Sequence, residues 1–347
     1  MKSPVLFLIF KRPETTQQVF NRIREAQPPR LYIAADGPRP EKEGEAAMCE
    51  ATRQVVEHID WPCEVHHLYH EQNLGCGKGV SSAITWFFEH EEQGIIIEDD
   101  IVPHLDFFTY CDEMLDLYQA DERIQMISGC NYFYDGYPAE YSYYMSVFAC
   151  IWGWATWRRV WNTYQFDVNA YPEEDIKRKI MLKFPKGANT FFLQVYDQMK
   201  RHAVDTWDFQ FVLNQTYHGR YSISPFINMI ENIGMGDVNA THTTEEDAVV
   251  SNHKSHSPYP LSHPHHLVPD SDADAIAMIN SRQYITTEQF IRNVLIEKEL
   301  AQDTLNRIER LEHKRKKYLT LVRVLGIVAS LLLLLCVTLL GVLFLGK

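Results

Sequence analysis

The first hundred residues alternate short apolar runs with longer amphipathic ones. Residues 4–10 (PVLFLIF) are apolar throughout, as a strand covered on both faces must be. Residues 14–26 then read as a helix, 30–35 (RLYIAA) as a second strand and 41–59 as a second helix. Residues 63–69 (CEVHHLY) read as a weaker third strand, 78–90 as a helix, 94–97 (GIII) as a fourth strand and 104–118 as a fourth helix. Repeated βα units of this length predict an α/β fold, with a mostly parallel sheet and helices on both faces. Polar residues fall where these strands end: Lys11 and Arg12, Asp36 and Gly37, Glu71 and Asn73, then Glu98, Asp99 and Asp100. Ligands of open α/β sheets bind beyond the carboxyl ends of the strands, so one cleft is expected there.

Composition narrows what that cleft serves. The 347 residues carry 33 Lys and Arg against 46 Asp and Glu, a formal charge of −13, which excludes a charge-driven nucleic-acid binder. A hydrophobic fraction of 46% excludes a disordered chain. The seven cysteines are odd in number and form no CxxC pair, which argues against a disulfide scaffold or a zinc ribbon and predicts a reducing compartment.

The far end carries a different signal. Residues 324–346 contain no charged side chain. At ~1.5 Å per residue they reach roughly 35 Å, enough to cross a bilayer core of about 30 Å. Residues 313–317 (HKRKK) precede this run and place residues 1–320 on the cytoplasmic side by the positive-inside rule. The expectation is a tail-anchored, single-span chain of the bacterial inner-membrane kind. No signal peptide is expected, because the apolar residues 5–10 are too few for one. The organisation expected is a nucleotide-binding half (1–119), an aromatic-rich second half (120–250), a His- and Pro-rich loop and linker (251–285), a stalk helix (286–317) and the membrane helix (318–346).

Several short motifs carry chemistry. Glu98, Asp99 and Asp100 end an apolar strand, and adjacent carboxylates in a cleft repel one another. They read either as a Mn²⁺ or Mg²⁺ site, in which the cation relieves that repulsion, or as a solvated acidic turn. Residues 73–79 (NLGCGKG) open a helix, so Asn73, Gly75 and Lys78 are candidates to face a phosphate, although neither the P-loop nor the GxGxxG spacing is present. Asp208, between Trp207 and Phe209, reads as a partly desolvated general base or as a helix cap. Trp152 and Trp154 offer flat faces for sugar rings, or form an aromatic core patch. His242, beyond the segment 232–236 (NIGMG), is a candidate metal or phosphate ligand, or a loop residue; His263, His265 and His266 read as loop residues.

The stretches VLFLIFKRPETT, IAADGP, NLGCGKG, IIIEDDIVPHLDFF, WGWATWRRVW, TWDFQF and NIGMGDVNATHT follow one another over residues 4–243. In this ordered set the chain resembles the GT-A glycosyltransferases, which have a Rossmann-like sheet. It is similar in particular to N-acetylglucosaminyltransferase I and to the bacterial sugar transferases called family-two-like or haemolytic-protein-like. The resemblance implies a nucleotide-sugar donor, UDP-linked, with Arg12 and Asp36 at the nucleoside and Asp99 at the ribose or sugar. It implies Asp100, and less directly His242, as ligands of the diphosphate-bridging metal, with Glu98 beside the donor. Asp208 becomes the base of an inverting transfer, with Trp152, Trp154 and Trp207 at the acceptor. The C-terminal tail departs from the animal enzyme, which is anchored at its N-terminus. With the tether, the acceptor expected is a glycan or a lipid-linked sugar at the cytoplasmic face. The rival of a different class is a membrane-tethered nucleotide-sugar or glycan-binding module without turnover. A processive synthase would need more spans and a QxxRW motif, and a sugar nucleotidyltransferase a Gly-rich, Arg-containing first loop; neither is present.

Overall fold

The computed structural model describes residues 1–134, 136–234 and 253–281, all within one compact unit, Met1–Thr287. Strands β1 (Val5–Ile9), β2 (Arg30–Ala35), β3 (Glu64–Tyr69) and β4 (Gln93–Glu98) run parallel in the order β3-β2-β1-β4. Every residue of β1 is buried, which is why its run is apolar without alternation. β3 lies at the sheet edge and is only partly covered, hence its mixed sequence. Helices α1 (Pro13–Ala26), α2 (Glu45–Val55) and α3 (Gly75–His90) connect these strands, and α4 (Leu105–Leu117) follows β5 (Ile101–Pro103).

Beyond β4 the sheet changes direction. Its further strands are β6 (Ile124–Ser128), β7 (Tyr143–Ser146), β8 (Trp154–Trp157) and β9 (Tyr221–Pro225). β8 is antiparallel to β4 on one side and to β6 on the other; β9 is parallel to β6, and β7 antiparallel to β9. The eight-stranded sheet is therefore mixed, and it continues across the expected division at residue 119. All four β8 residues are buried. α5 (Arg158–Trp161) packs on β8, α6 (Glu173–Lys183), α7 (Ala188–Lys200) and α8 (Asp208–Tyr217) pack on one another, and α9 (Ser271–Ser281) lies near the β7 edge. A separate two-stranded antiparallel ribbon joins β5 to β10 (Ile230–Asn232).

One expectation is corrected here. Cys130 and Cys150 form a disulfide, whereas the spacing of the cysteines predicted free thiols. The two lie 20 positions apart with no motif between them, and meet only because β8 inserts beside β6. The disulfide removes the support that free cysteines lent to a reducing compartment. Cys49, Cys63, Cys76 and Cys111 are free.

The stalk and membrane segments expected over 286–346, and His242, lie outside the described residues. Among the described residues no helix is long and apolar enough to cross a membrane. The loop and linker expected over 251–285 is irregular at 253–268, but Ser271–Ser281 within it form α9, whose Ala273, Ala277 and Met278 are buried, so that part of the expectation is corrected.

Candidate functional site

The charged residues expected at the site follow the carboxyl ends of β1, β2 and β4. Arg12 sits at the start of α1, where its carbonyl accepts from Thr16 N at 3.0 Å, so its backbone is held by the helix and its side chain is free to turn inward. The guanidinium bridges two acids: Nη2 donates to Asp99 Oδ1, and Nη1 lies 3.0 Å from Asp100 Oδ2. Asp99 is buried and also accepts from Phe10 N at 3.2 Å. Burial opposes the charge on Arg12, but Asp99 and Asp100 outweigh it and push the guanidinium above its ordinary range. Burial raises the proton affinity of Asp99, against the pull of Arg12. Glu98 is raised further, first by burial and then by the negative charges of Asp100 and Asp99. One guanidinium thus faces three carboxylates, and the deficit is felt by Glu98.

Asp36, at the end of β2, closes the N-terminus of α3. Its Oδ1 accepts from Leu74 N at 2.9 Å; its Oδ2 accepts from Gly75 N at 3.1 Å and from Asn73 Nδ2 at 2.9 Å. The next two amides, Cys76 N and Gly77 N, donate to Asp205 at 2.9 Å each. The amides of the glycine-rich loop, expected to face a phosphate, are therefore occupied by two of the chain's own carboxylates. Lys78 is exposed on that first turn, with no ion-pair partner among the described residues.

Asp208 is the first residue of α8. Its Oδ1 accepts from Thr206 Oγ1 and, at 2.7 Å, from Phe209 N, while Oδ2 takes no hydrogen bond among the described residues. The side chain lines a cavity of about 280 Å³ whose other walls include Tyr132, Ile151, Trp152, Phe191 and Phe209. Its negative charge is also among those that raise Glu98. Cys76, on the first turn of α3, is pushed up to about 12 by burial and then by Glu98, Asp208, Asp205 and Asp36 in that order. The acids of β2, β4 and the α8 turn therefore all converge on one place.

The three tryptophans expected at the acceptor part company. Trp152 is half-buried and lines the cavity. Trp154 is fully buried, and Trp207 is 2% exposed. Their rings stack on each other with centroids 5.6 Å apart, so neither presents a face to a sugar. They are core residues that carry α8 on the sheet, and an alternating strand sequence alone does not tell which Trp points inward.

The chain after β10 closes the cleft from another side. Ile233 N donates to the Asp100 carbonyl at 2.9 Å, and a Cβ on Gly234 would lie 2.1 Å from Asp100 Oδ2. Sequence reasoning marked this segment but missed Gly234 as a contact and missed Asp205 altogether. Nothing in the string VDTWD distinguishes Asp205 from a solvated turn residue.

The chain matches no known protein-family profile, and it matches no curated protein. Among solved structures it is similar to S. aureus TarS 1–349, with 11% identity, 67% of this chain and 61% of that chain covered, and a TM-score of 0.37. It is similar to a UDP-glucose pyrophosphorylase complexed with UDP-glucose, with 11% identity, 67% and 94% covered, and a TM-score of 0.36. HddC from Yersinia pseudotuberculosis is a further likeness, with 10% identity, 49% and 80% covered, and a TM-score of 0.29. At such identities it falls to the side chains of the cleft to say what chemistry is available.

Proposed function

We propose that the chain is an inverting glycosyltransferase of the GT-A kind, moving a sugar from a nucleoside-diphosphate donor to an acceptor hydroxyl. The observation that carries this reading is the position of Asp208, which lines the aromatic-walled cavity while its charge acts on Glu98 of the acidic cluster. A carboxylate with one oxygen that takes no hydrogen bond among the described residues thus lines a pocket suited to a ring, and its charge is felt by Glu98 of the acidic pole.

The acidic pole fits a hard divalent cation. Its donors are carboxylate oxygens, and Arg12 compensates only part of their charge. Among the described residues no three His, Cys, Asp or Glu side chains are arranged to hold an ion unaided. Asp100, with Glu98, would therefore hold Mn²⁺ or Mg²⁺ jointly with diphosphate oxygens, as Mg²⁺ commonly binds. When bound, the ion supplies neutralisation of the charge that grows on the leaving diphosphate. Arg12 keeps Asp99 and Asp100 in place and remains charged. Asp36 and Asn73 shape the nucleoside side of the cleft. Asp208 accepts the proton of the acceptor hydroxyl as that oxygen attacks the anomeric carbon opposite the leaving group, typically a contribution of ~10²–10⁴-fold. Trp152 supplies a ring face to the acceptor.

The test is product formation from UDP-, dTDP-, GDP- and CMP-sugars with Mn²⁺ or with EDTA. Asp208→Asn is expected to bind donor and abolish transfer, and Asp100→Ala to lose the metal response. Binding without product in the wild-type protein would favour a non-catalytic binding module. The apolar run 324–346 supports a lipid-linked acceptor at a membrane surface; the basic residues before the run favour the cytoplasmic face, and the Cys130–Cys150 disulfide weighs against it. Protease protection of the chain in sealed membrane vesicles tests that placement.

A further inference from the structure

We infer that Asp205 is the positioning residue for Asp208: it docks the turn that bears the base into the N-terminus of α3, and Gly75 and Gly77 of the NLGCGKG loop let it approach. This rests on the reading of Asp208 as the base.

A helix N-terminus leaves four amides without intrahelical partners. In α3 the first two are taken by Asp36, the neighbour supplied by β2. The next two are taken from far along the chain: Asp205 Oδ2 accepts from Cys76 N, and Oδ1 from Gly77 N, both at 2.9 Å. One oxygen per amide sets the carboxylate's position and its orientation together, in the favourable field of the helix end. The approach is close enough to demand glycine. A Cβ on Gly75 would lie 2.3 Å from Asp205 Oδ2, and one on Gly77 would lie 2.8 Å from Asp205 Oδ1 and 2.9 Å from Thr206 O. Gly75 also has φ +81°, which side chains rarely adopt.

Asp205 is itself exposed, so burial does not hold it. Three residues later comes Asp208. Between them Trp207 is anchored in the core, where Tyr164 Oη donates to its carbonyl at 3.0 Å, and Gln210 Nε2 donates to Thr206 O at 2.7 Å. Trp207 fixes the depth of the turn, and Asp205 fixes its lateral position against α3. Because Asp36 holds the same helix end, the base is referenced to the nucleoside side of the cleft rather than to α8 alone. Angular errors of the base matter because a displacement near 1 Å can cost about 10²-fold in rate.

The experiment compares Asp205→Ala and Asp205→Asn in the full-length protein, using kinetics with the active sugar nucleotide and amide hydrogen exchange. For Asp205→Ala the expected result is a kcat lower by about 10- to 100-fold with the donor KM within about twofold. Asp205→Asn keeps one acceptor oxygen and should recover part of kcat. Exchange should quicken in peptides covering 75–78 and 205–210 in the alanine variant, and stay unchanged in β1 and β6. A kcat within about twofold of wild type, or exchange unchanged at both segments, overturns the inference. So does a fall in kcat accompanied by faster exchange throughout the chain, which would make Asp205 a cap for overall stability. If the wild-type protein turns over none of the donors, the proposed function fails, and the docking of the turn stands or falls on the exchange data alone.

Discussion

Arg12 Nη1 lies 3.0 Å from Asp100 Oδ2 while Nη2 of the same guanidinium holds the buried Asp99. The contact links the end of β1 to the end of β4 and makes the acidic cluster tolerable in a poorly hydrated cleft. Removing one partner of such a pair leaves a buried charge unpaired and typically costs about 3–5 kcal/mol. Arg12→Met is therefore expected to lower stability by about that amount in urea unfolding. Mn²⁺ added together with UDP should raise Tm more in Arg12→Met than in the wild-type protein, because the ion replaces the missing positive charge once diphosphate oxygens complete its coordination. A Tm unmoved by Mn²⁺ with UDP in both proteins would count against the cluster as an ion site.

Gly234 admits no side chain. Its Cβ would meet Asp100 Oδ2 at 2.1 Å and Arg12 Nη1 at 2.9 Å. Gly234→Ala should displace Asp100 from Arg12 and cost about 1–3 kcal/mol of stability through overpacking. The larger effect is expected on ligand: titration of UDP with Mn²⁺ should show affinity reduced at least about tenfold, a loss of ~1.4 kcal/mol or more. Equal affinity in the two proteins would mean that the NIG segment does not bear on the site.

The two tryptophans of the WGW motif should separate cleanly. Trp154 is fully buried against Trp207 and Phe211, so Trp154→Ala should cost about 3–5 kcal/mol. Trp152 borders the cavity, so Trp152→Ala should cost less stability and raise the acceptor KM. Urea unfolding and steady-state kinetics on both variants check this, and a stability loss for Trp152→Ala equal to that of Trp154→Ala would remove the distinction.

Asp274 of α9 makes the end of β7 sensitive to pH. Its oxygens accept from Ser146 Oγ at 2.5 Å and from Val147 N at 3.0 Å. Burial nevertheless pushes the carboxyl up to about 7, with Ser146, Val147 and Lys183 pulling the other way and Asp270 adding to the rise. The folded state thus holds this proton more tightly than the unfolded chain, whose carboxyl titrates near 3.9. The resulting stability is fully present below about pH 4 and is lost as pH rises through about 7. Asp274→Asn should flatten that part of the Tm profile between pH 4 and 7. A wild-type slope retained in the variant would assign it to other groups.

Much of the parallel half was legible residue by residue. The apolar runs gave β1, β2 and β4, and α1 was expected over 14–26 and occurs at Pro13–Ala26. α3 was expected from residue 78 and starts at Gly75, because two carboxylates from elsewhere satisfy the amides of a glycine-rich turn that has little helical preference of its own. The meeting of Arg12 with Asp99 and Asp100 agrees with their places just beyond the ends of β1 and β4. The insertion of β8 between β4 and β6, the Cys130–Cys150 link, the inward turn of Trp154 and Trp207, and the reach of Asp205 to α3 did not.

The amino-acid sequence alone determined the βα rhythm of the first hundred residues and the polarity of the strand ends, since both depend on side chains within one or two turns of each other. Only the tertiary structure decided which distant segments meet: that Asp205 rather than a phosphate closes α3, and that Trp152 alone of its motif faces the cavity. Such choices depend on shape and burial across 50 to 130 positions of chain, as with Gly77 and Asp205, which are 128 positions apart, and no local pattern records them.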